Sequence, residues 1–336
     1  MPRAFATAAL ALATTAPLLV GVGSPAGADS SDRPSRTKTS AAWSATSVVA
    51  GTPVTVSGRV KDRVKGTRKV VLQQKIASGW IKVDGTRTTS SGDYVMAVPT
   101  GWFYSSKLRV LAKRTRKAGG DISKATRVTV VPAWAPQGDP KAWRHITRYQ
   151  VRLNPCRTVT YRVNAAQGLP DPATALTAAH AAVDDIAQAT GLTFKYLGTT
   201  DAMFQGSGKS IPKDTDLLIS WQRDDQTKLD IGPSYGARGG AGKVIWGRNA
   251  QGKRIGLALN TGIAADSQEQ GMTYTSMTQL LMHELQHAVG LHHVNDPYQY
   301  MNPSQSIYTL PLGQWGAGDL TGLRKVGLQA GCVRRW

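Results

Sequence analysis

The chain predicts two domains of different class, an N-terminal all-β sandwich followed by a C-terminal α+β domain. Three observations predict this. The 336 residues exceed what one ordinary core fills and suit two domains. Residues 41–132 alternate apolar and polar with period two, whereas the later half also contains runs with the 3.6 period of amphipathic helices. Charge divides near the same place: residues 29–138 carry 20 Lys and Arg against 6 Asp and Glu, while residues 139–336 carry 20 against 15. The overall net charge of +20 therefore belongs mainly to the front module.

Residues 1–28 have the pattern of a secretory signal peptide. Arg3 gives a positive start, Ala4 to Val22 is mostly small and apolar, and Ala26-Gly27-Ala28 offers small-residue cleavage before Asp29. Thr14, Thr15 and Pro17 interrupt that run, and no later stretch reaches the roughly 20 apolar residues of a membrane span. The expectation is a secreted protein, extracellular or associated with the cell wall, without a transmembrane segment. Export favours an oxidised cysteine pair, and Cys156 and Cys332 permit one connectivity. The alternative is a pair of free thiols.

After a polar leader, 29–40, the basic module 41–132 holds six short strand patterns. They are Val54 to Val56, Val70 to Leu72, Trp80 to Val83, Tyr94 to Val98, Leu108 to Leu111 and Val128 to Val131. Turn pairs such as Asp84-Gly85 and Ser91-Gly92 separate them. Strands at this spacing predict a sandwich of immunoglobulin-like type. The basic runs Arg59 to Lys69 and Lys113 to Lys117 suit an anionic cell-wall polymer, or else a solubilising face. No nucleic-acid motif accompanies the charge, which places nucleic acid below these two.

A Pro- and Gly-rich linker, 133–150, leads into the C-terminal domain, 151–336. Thr158 to Val163 predicts a strand and Asp171 to Thr190 an alanine-rich helix, with Leu192 to Leu197 and Leu217 to Trp221 as further strands. Asp214, Asp216, Asp224, Asp225 and Asp230 are candidate ligands for a structural calcium, although their spacing fits no known loop and solvated carboxylates are the plain alternative. Gly236 to Gly242 predicts a flexible loop. It is no phosphate cradle, because no Gly-Lys-Ser/Thr ending follows. Lys243 to Trp246 and Ile255 to Leu259 predict a hairpin around Gln251-Gly252. A helix with the apolar stripe Met277, Leu281, Leu285 and Ala288 follows, with Ser276 and Gln279 as its expected cap, and a last helix spans about Asp319 to Val326.

The chemistry concentrates in residues 283–293, His-Glu-Leu-Gln-His-Ala-Val-Gly-Leu-His-His, which hold four of the six histidines and one of two glutamates. The letters fit H-E-x-x-H-x-x-G-x-x-H. At about 100° per residue, His283 and His287 share one helix face a turn apart. Glu284 lies at the edge of that face, where it can take a proton from metal-bound water. Gly290 suits the left-handed turn that ends a helix, so that His293 can return from a loop as the third ligand. His292 matches no ligand spacing, and His145 and His180 are expected to be ordinary surface or packing residues.

This motif resembles that of the metzincin clan of zinc endopeptidases, whose other mark is a methionine beneath the metal. Met301, in Tyr300-Met301-Asn302-Pro303, stands eight residues beyond His293. Within the clan the spacing is most similar to matrixins, and the whole looks like a matrixin-like secreted bacterial endopeptidase. Tyr300 replaces the matrixin leucine and Asn302 the tyrosine. The specific match covers about Met282 to Pro303. The resemblance implies a zincin domain, in the order β-α-β-β-β, active helix, terminal helix, with one catalytic zinc on His283, His287 and His293. No histidine lies between His180 and His283 to hold a second zinc, and no propeptide cysteine is present to silence the enzyme.

Hydrolysis of a protein or peptide substrate is thus the expected activity, with Glu284 as general base and the substrate extended along a strand edge near Ser234 to Ala237. The rival class is an inactive surface protein of protease-like fold that binds an anionic polymer through its basic module.

Overall fold

The computed structural model describes residues 34–231, 236–268 and 271–335. The signal segment 1–28 and the first part of the leader lie outside the described residues. Among those described, no helix is long and apolar enough to cross a membrane.

The front module contains β1 (Lys38–Thr39), β2 (Ala42–Trp43), β3 (Ser47–Val49), β4 (Thr55–Lys61), β5 (Lys69–Ile76), β6 (Gly79–Arg87), β7 (Asp93–Ala97), β8 (Tyr104–Ala112), β9 (Asp121–Ile122) and β10 (Thr126–Val131). They form two sheets. In one, β1, β2 and β7 all pair with β4; in the other the order is β3-β10-β8-β5-β6, with β9 also on β8. The period-two pattern explains the packing, since Val54, Val56, Val60, Leu72, Tyr94, Met96, Leu108, Val110 and Val128 all point into one shared core.

Two expectations about this module need correction. The leader 29–40 is not merely a leader, because Lys38 and Thr39 pair with Lys61 and Val60, and the Thr37 hydroxyl donates to the Gly119 carbonyl at 2.8 Å. Its alternating Thr side chains turn inward and extend the sheet. The basic run 59–69 is not wholly a surface run either. Arg68 is buried, paired with Asp62, and donates to the carbonyls of Lys113 and Gly119. Lys113 to Lys117 is exposed throughout.

The C-terminal domain runs β11 (Val159–Asn164), α1 (Pro172–Thr190), β12 (Phe194–Thr199), β13 (Leu217–Gln222), β14 (Ala237–Arg248), β15 (Arg254–Asp266), α2 (Tyr274–Val289), α3 (Ala317–Val326) and β16 (Arg334–Arg335). The expected order is one strand short, because the hairpin supplies both β14 and β15. The sheet order is β12-β11-β13-β15-β14-β16, with β14 and β16 antiparallel additions to a parallel centre. Asp171 caps α1 by accepting from the N–H groups of Ala173 and Thr174. Its buried stripe of Ala175, Ala178, Ala179 and Ala182 is small enough to let α1 lie close against α2.

The region 133–150 contains no helix or strand, yet it is not a free tether. The Trp134 indole N–H donates to the Trp315 carbonyl, Ala317 N–H to the Gln137 carbonyl, and Ile146 N–H to the Gly290 carbonyl. The module is docked as well. Phe103 belongs to the core of the C-terminal domain and its N–H donates to the Gln188 carbonyl. Trp102 lies so close over Gly191, the left-handed cap of α1, that an added Cβ would approach its ring to 2.6 Å.

Cys156 and Cys332 form a disulfide across a sequence separation of 176. It ties the start of β11 to the tail just before β16. Closing so long a loop restricts the unfolded chain by roughly 5 kcal/mol in the chain-entropy model. Replacing both cysteines by serine should lower unfolding stability by about 2–5 kcal/mol in denaturant titrations; an unchanged midpoint would refute that role.

Candidate metal centre

Helix α2 positions the first two imidazoles and the carboxylate. Its N-cap is Thr273, not Ser276 as expected: the Thr273 hydroxyl accepts from Ser276 N–H, and the Ser276 hydroxyl accepts from Thr273 N–H at 2.8 Å. Serine at the third position thus plays the reciprocal part that a Glu or Gln usually takes. Met277, Leu281, Leu285 and Ala288 are buried, with the Trp221 indole N–H directed at the Met277 sulfur. The opposite face of α2 is also enclosed, because β14 packs against it. His283 is 6% and Glu284 3% exposed.

Gly290 ends the helix at φ 119°, and its N–H donates to the carbonyls of Gln286 and His287. A side chain there is excluded twice, since positive φ strains any other residue and an added Cβ would stand 2.1 Å from the Val151 carbonyl oxygen. The chain then doubles back beside the linker, with His292 N–H donating to the Arg144 carbonyl, and delivers His293 to the helix.

The three imidazoles converge. The His293 Nε2 lies 3.1 Å from His283 Nε2 and 2.9 Å from His287 Nε2. The Nδ1 of His283 donates to the Tyr300 carbonyl and the Nδ1 of His287 donates to the Leu291 carbonyl. A carbonyl can only accept, so both protons sit on Nδ1 and both Nε2 atoms present lone pairs. A single Nε2 proton on His293 cannot serve two such acceptors well, whereas a cation serves all three nitrogens. Nitrogens bound tetrahedrally to zinc at 2.0–2.1 Å stand roughly 3.3 Å apart. The donor set therefore fits zinc. Among the described residues this is the one group of three or more His, Cys, Asp or Glu with metal-ligand spacing.

Burial lowers the pKa of all three histidines, that of His283 to about 4, which keeps the imidazoles neutral and available as ligands. Glu284 responds oppositely. Burial pushes its carboxyl up to about 8, against smaller opposing effects of the Gly239 N–H and the Arg238 charge. Its Oε2 is buried without a hydrogen-bond partner. An orphaned carboxylate oxygen beside three converged imidazoles is the group that could exchange a proton with a reacting water.

A cavity of about 590 Å³ opens onto these groups, lined by His283, Glu284, His287, His293, Gly239 and Pro303 among others. Met301 is buried in the turn below: its carbonyl accepts from Val294 N–H, next to His293, at 2.9 Å. Asp319 fastens the same turn, accepting from Tyr300 N–H at 2.7 Å, Gly316 N–H at 3.2 Å and Met301 N–H at 3.3 Å. Burial still holds its carboxyl up at about 7.

Asp319, the Tyr300 and Leu291 carbonyls and Gly239 were not anticipated as site residues. Only Asp319 left a trace in the sequence, as the acid at the start of the expected last helix. Gly239 belongs to the segment 236–242 expected to be a flexible loop; from Ala237 onward it is strand β14 instead. Its glycine is needed because an added Cβ would lie 2.5 Å from the Glu284 carbonyl oxygen and 2.8 Å from Glu284 Oε2. Of the expected substrate edge, Ser234 to Ala237, the first two residues lie outside the described residues, and Ala237 opens strand β14. The calcium candidates do not share a site. Asp214 pairs with Arg162, Asp225 pairs with Arg223, Asp216 accepts from Thr160, and Asp224 accepts from Ile231 N–H. His292 accepts from His293 N–H at 2.7 Å, and the Tyr161 hydroxyl lies 2.7 Å from His180 Nδ1, away from the centre.

The raised Glu284 pKa makes a signed stability prediction for metal-stripped protein. The folded value of about 8 exceeds the ordinary 4.5, so the stability associated with protonated Glu284 is intact below 4.5 and is lost as pH rises toward 8. Glu284→Gln lacks that loss. Its melting temperature relative to the parent should therefore rise between pH 5 and pH 8.5, and a difference independent of pH would contradict the assignment. In comparisons with known proteins, no family model matches the chain and no curated protein matches it.

Proposed function

We propose that the protein is a secreted zinc-dependent endopeptidase of metzincin, matrixin-like type, with an immunoglobulin-like module in front of a zincin domain. The observation that carries this is the meeting of three imidazole nitrogens, two of them forced by backbone carbonyls to present lone pairs, beside an unpartnered buried carboxylate. His283, His287 and His293 would hold the metal. When bound there, zinc supplies a Lewis acid that polarises the scissile carbonyl and acidifies water.

The rest of the chemistry falls to the chain. Glu284 takes the proton from the attacking water at Oε2 and returns it to the leaving amine nitrogen, which makes a new N–H as the C–N bond breaks. Burial raises its pKa in the metal-free protein, and a bound dication would favour the carboxylate that accepts the proton. Gly239 lies against Glu284, which is itself buried, and keeps bulk water from it. Substrate fits as an added strand on β14, whose side away from β15 carries β16 only at Gly247 and Arg248 among the described residues. The exposed basic run Lys113 to Lys117 suits an anionic cell-wall polymer, which would concentrate the enzyme near peptide-bearing walls.

Glu284→Gln should lower kcat for casein or peptide cleavage by at least about a hundredfold while one equivalent of zinc stays bound. Chelation should abolish the parent's activity, and added zinc should restore it. A variant that cleaves at the parent rate, or a parent that is fully active after metal removal, would refute the proposal; a zinc-loaded parent that cleaves nothing would favour the polymer-binding alternative.

A further inference from the structure

A second cavity, of about 560 Å³, opens at the seam between the module and the C-terminal domain. Ala77 and Ser105 contribute the module wall, while Arg152, Arg324, Lys325 and Gln329 contribute the other. No Asp or Glu lines it. Three cationic residues thus line one half-open cavity without a counter-charge.

Arg152 is the telling member. It is 3% exposed, and its Nη2 donates to the carbonyls of Gly331 at 2.8 Å and Ala330 at 3.3 Å. Its Nη1 is buried with no partner, and no carboxylate pairs with the guanidinium among the described residues. Two further buried polar atoms of the lining are unsatisfied, Gln329 Nε2 and His145 Nδ1. A buried cation with no counter-ion is costly, and unmet buried donors are rare in folded proteins. Three cations and unmet polar atoms with no carboxylate opposite them describe an anion site.

We propose that the seam cavity binds a phosphate group carried on a small organic molecule. A phosphate matches three positive side chains and donors arriving from different elements better than a carboxylate, which brings one charge and two coplanar oxygens. The cavity is larger than inorganic phosphate alone requires, and the Trp143 side chain in its wall offers an apolar surface for the organic part. The residues involved are separate from the three-imidazole cluster, so the inference does not depend on the peptidase reading. Because both modules form the walls, the ligand would also fasten one to the other.

Calorimetric titration of the purified full chain with glycerol 3-phosphate, inorganic phosphate and acetate, at constant ionic strength, tests this. Saturable binding of the phosphate compounds is expected, with acetate at least about tenfold weaker. Lys325→Gln and Arg324→Gln, both at exposed positions of α3, should each weaken phosphate binding by about tenfold while native melting is retained. Arg152→Met should abolish binding if it folds; the two surface variants decide the matter if it does not. Binding should also raise the melting temperature of the parent. No saturable binding by either phosphate compound, acetate binding as tight as phosphate, or affinity undiminished in both surface variants would overturn the proposal.

Discussion

The site depends on two hydrogen bonds that fix proton positions. The Tyr300 and Leu291 carbonyls hold the Nδ1 protons of His283 and His287 and thereby turn both Nε2 lone pairs toward His293. Without them each ring could rotate or change tautomer, and helical spacing alone would not make a ligand set. Much of the surrounding fold serves to place those two carbonyls. Asp319 anchors the turn that carries Tyr300 from below, by accepting from the N–H groups of Tyr300 and Met301. Leu291 is placed by the left-handed exit at Gly290 and by its bridge to His145 in the linker. Two distant segments, the linker and α3, therefore set ring orientations on α2.

Enclosure is the second requirement, and glycine supplies it. Gly239 brings the backbone of β14 against Glu284 more closely than any side chain would allow. Burial raises the Glu284 carboxyl and, at the same centre, lowers the three imidazoles. One physical cause thus biases an acid toward holding a proton and bases toward losing theirs, leaving all four groups near neutrality in charge. A divalent cation would reverse the balance for Glu284 by stabilising the carboxylate, which is how a buried acid becomes a usable base.

The sequence made the histidines and Glu284 legible because a helix converts a spacing of four into a shared face, with no tertiary knowledge needed. The strands of the module were visible for a similar reason, as were α1 with its Asp171 cap and the hairpin at Gln251-Gly252. What stayed hidden depends on long-range packing. The glycines of 237–242 signal a loop by composition, yet they form a strand because α2 lies against them. Thr273 displaced Ser276 as the cap because Ser276 could serve as the reciprocal partner as well as the cap itself. The five aspartates looked like one cluster along the chain, but the carboxylates of Asp214, Asp216, Asp224 and Asp225 each engage a different neighbour. Lys38 and Thr39 passed for a leader because two residues carry too little periodicity to announce a strand.

The docking of the module has consequences beyond adhesion. Phe103 enters the C-terminal core, Trp102 covers the cap of α1, and Ser78 Oγ accepts from Cys332 N–H beside the disulfide. Removing the module would uncover Phe103's place among α1 and Trp134, and α1 packs directly on α2. Any loosening at the seam is therefore carried to the helix of the three-imidazole site through one layer of alanine contacts, which leave little slack because small side chains bring backbones together. The disulfide-linked tail also reaches the seam, where Ser78 of the module meets Cys332. Two modules that differ in charge and fold class thus pack as one unit, and a surface that gripped the exposed run Lys113 to Lys117 would hold the C-terminal domain in a defined orientation rather than on a tether.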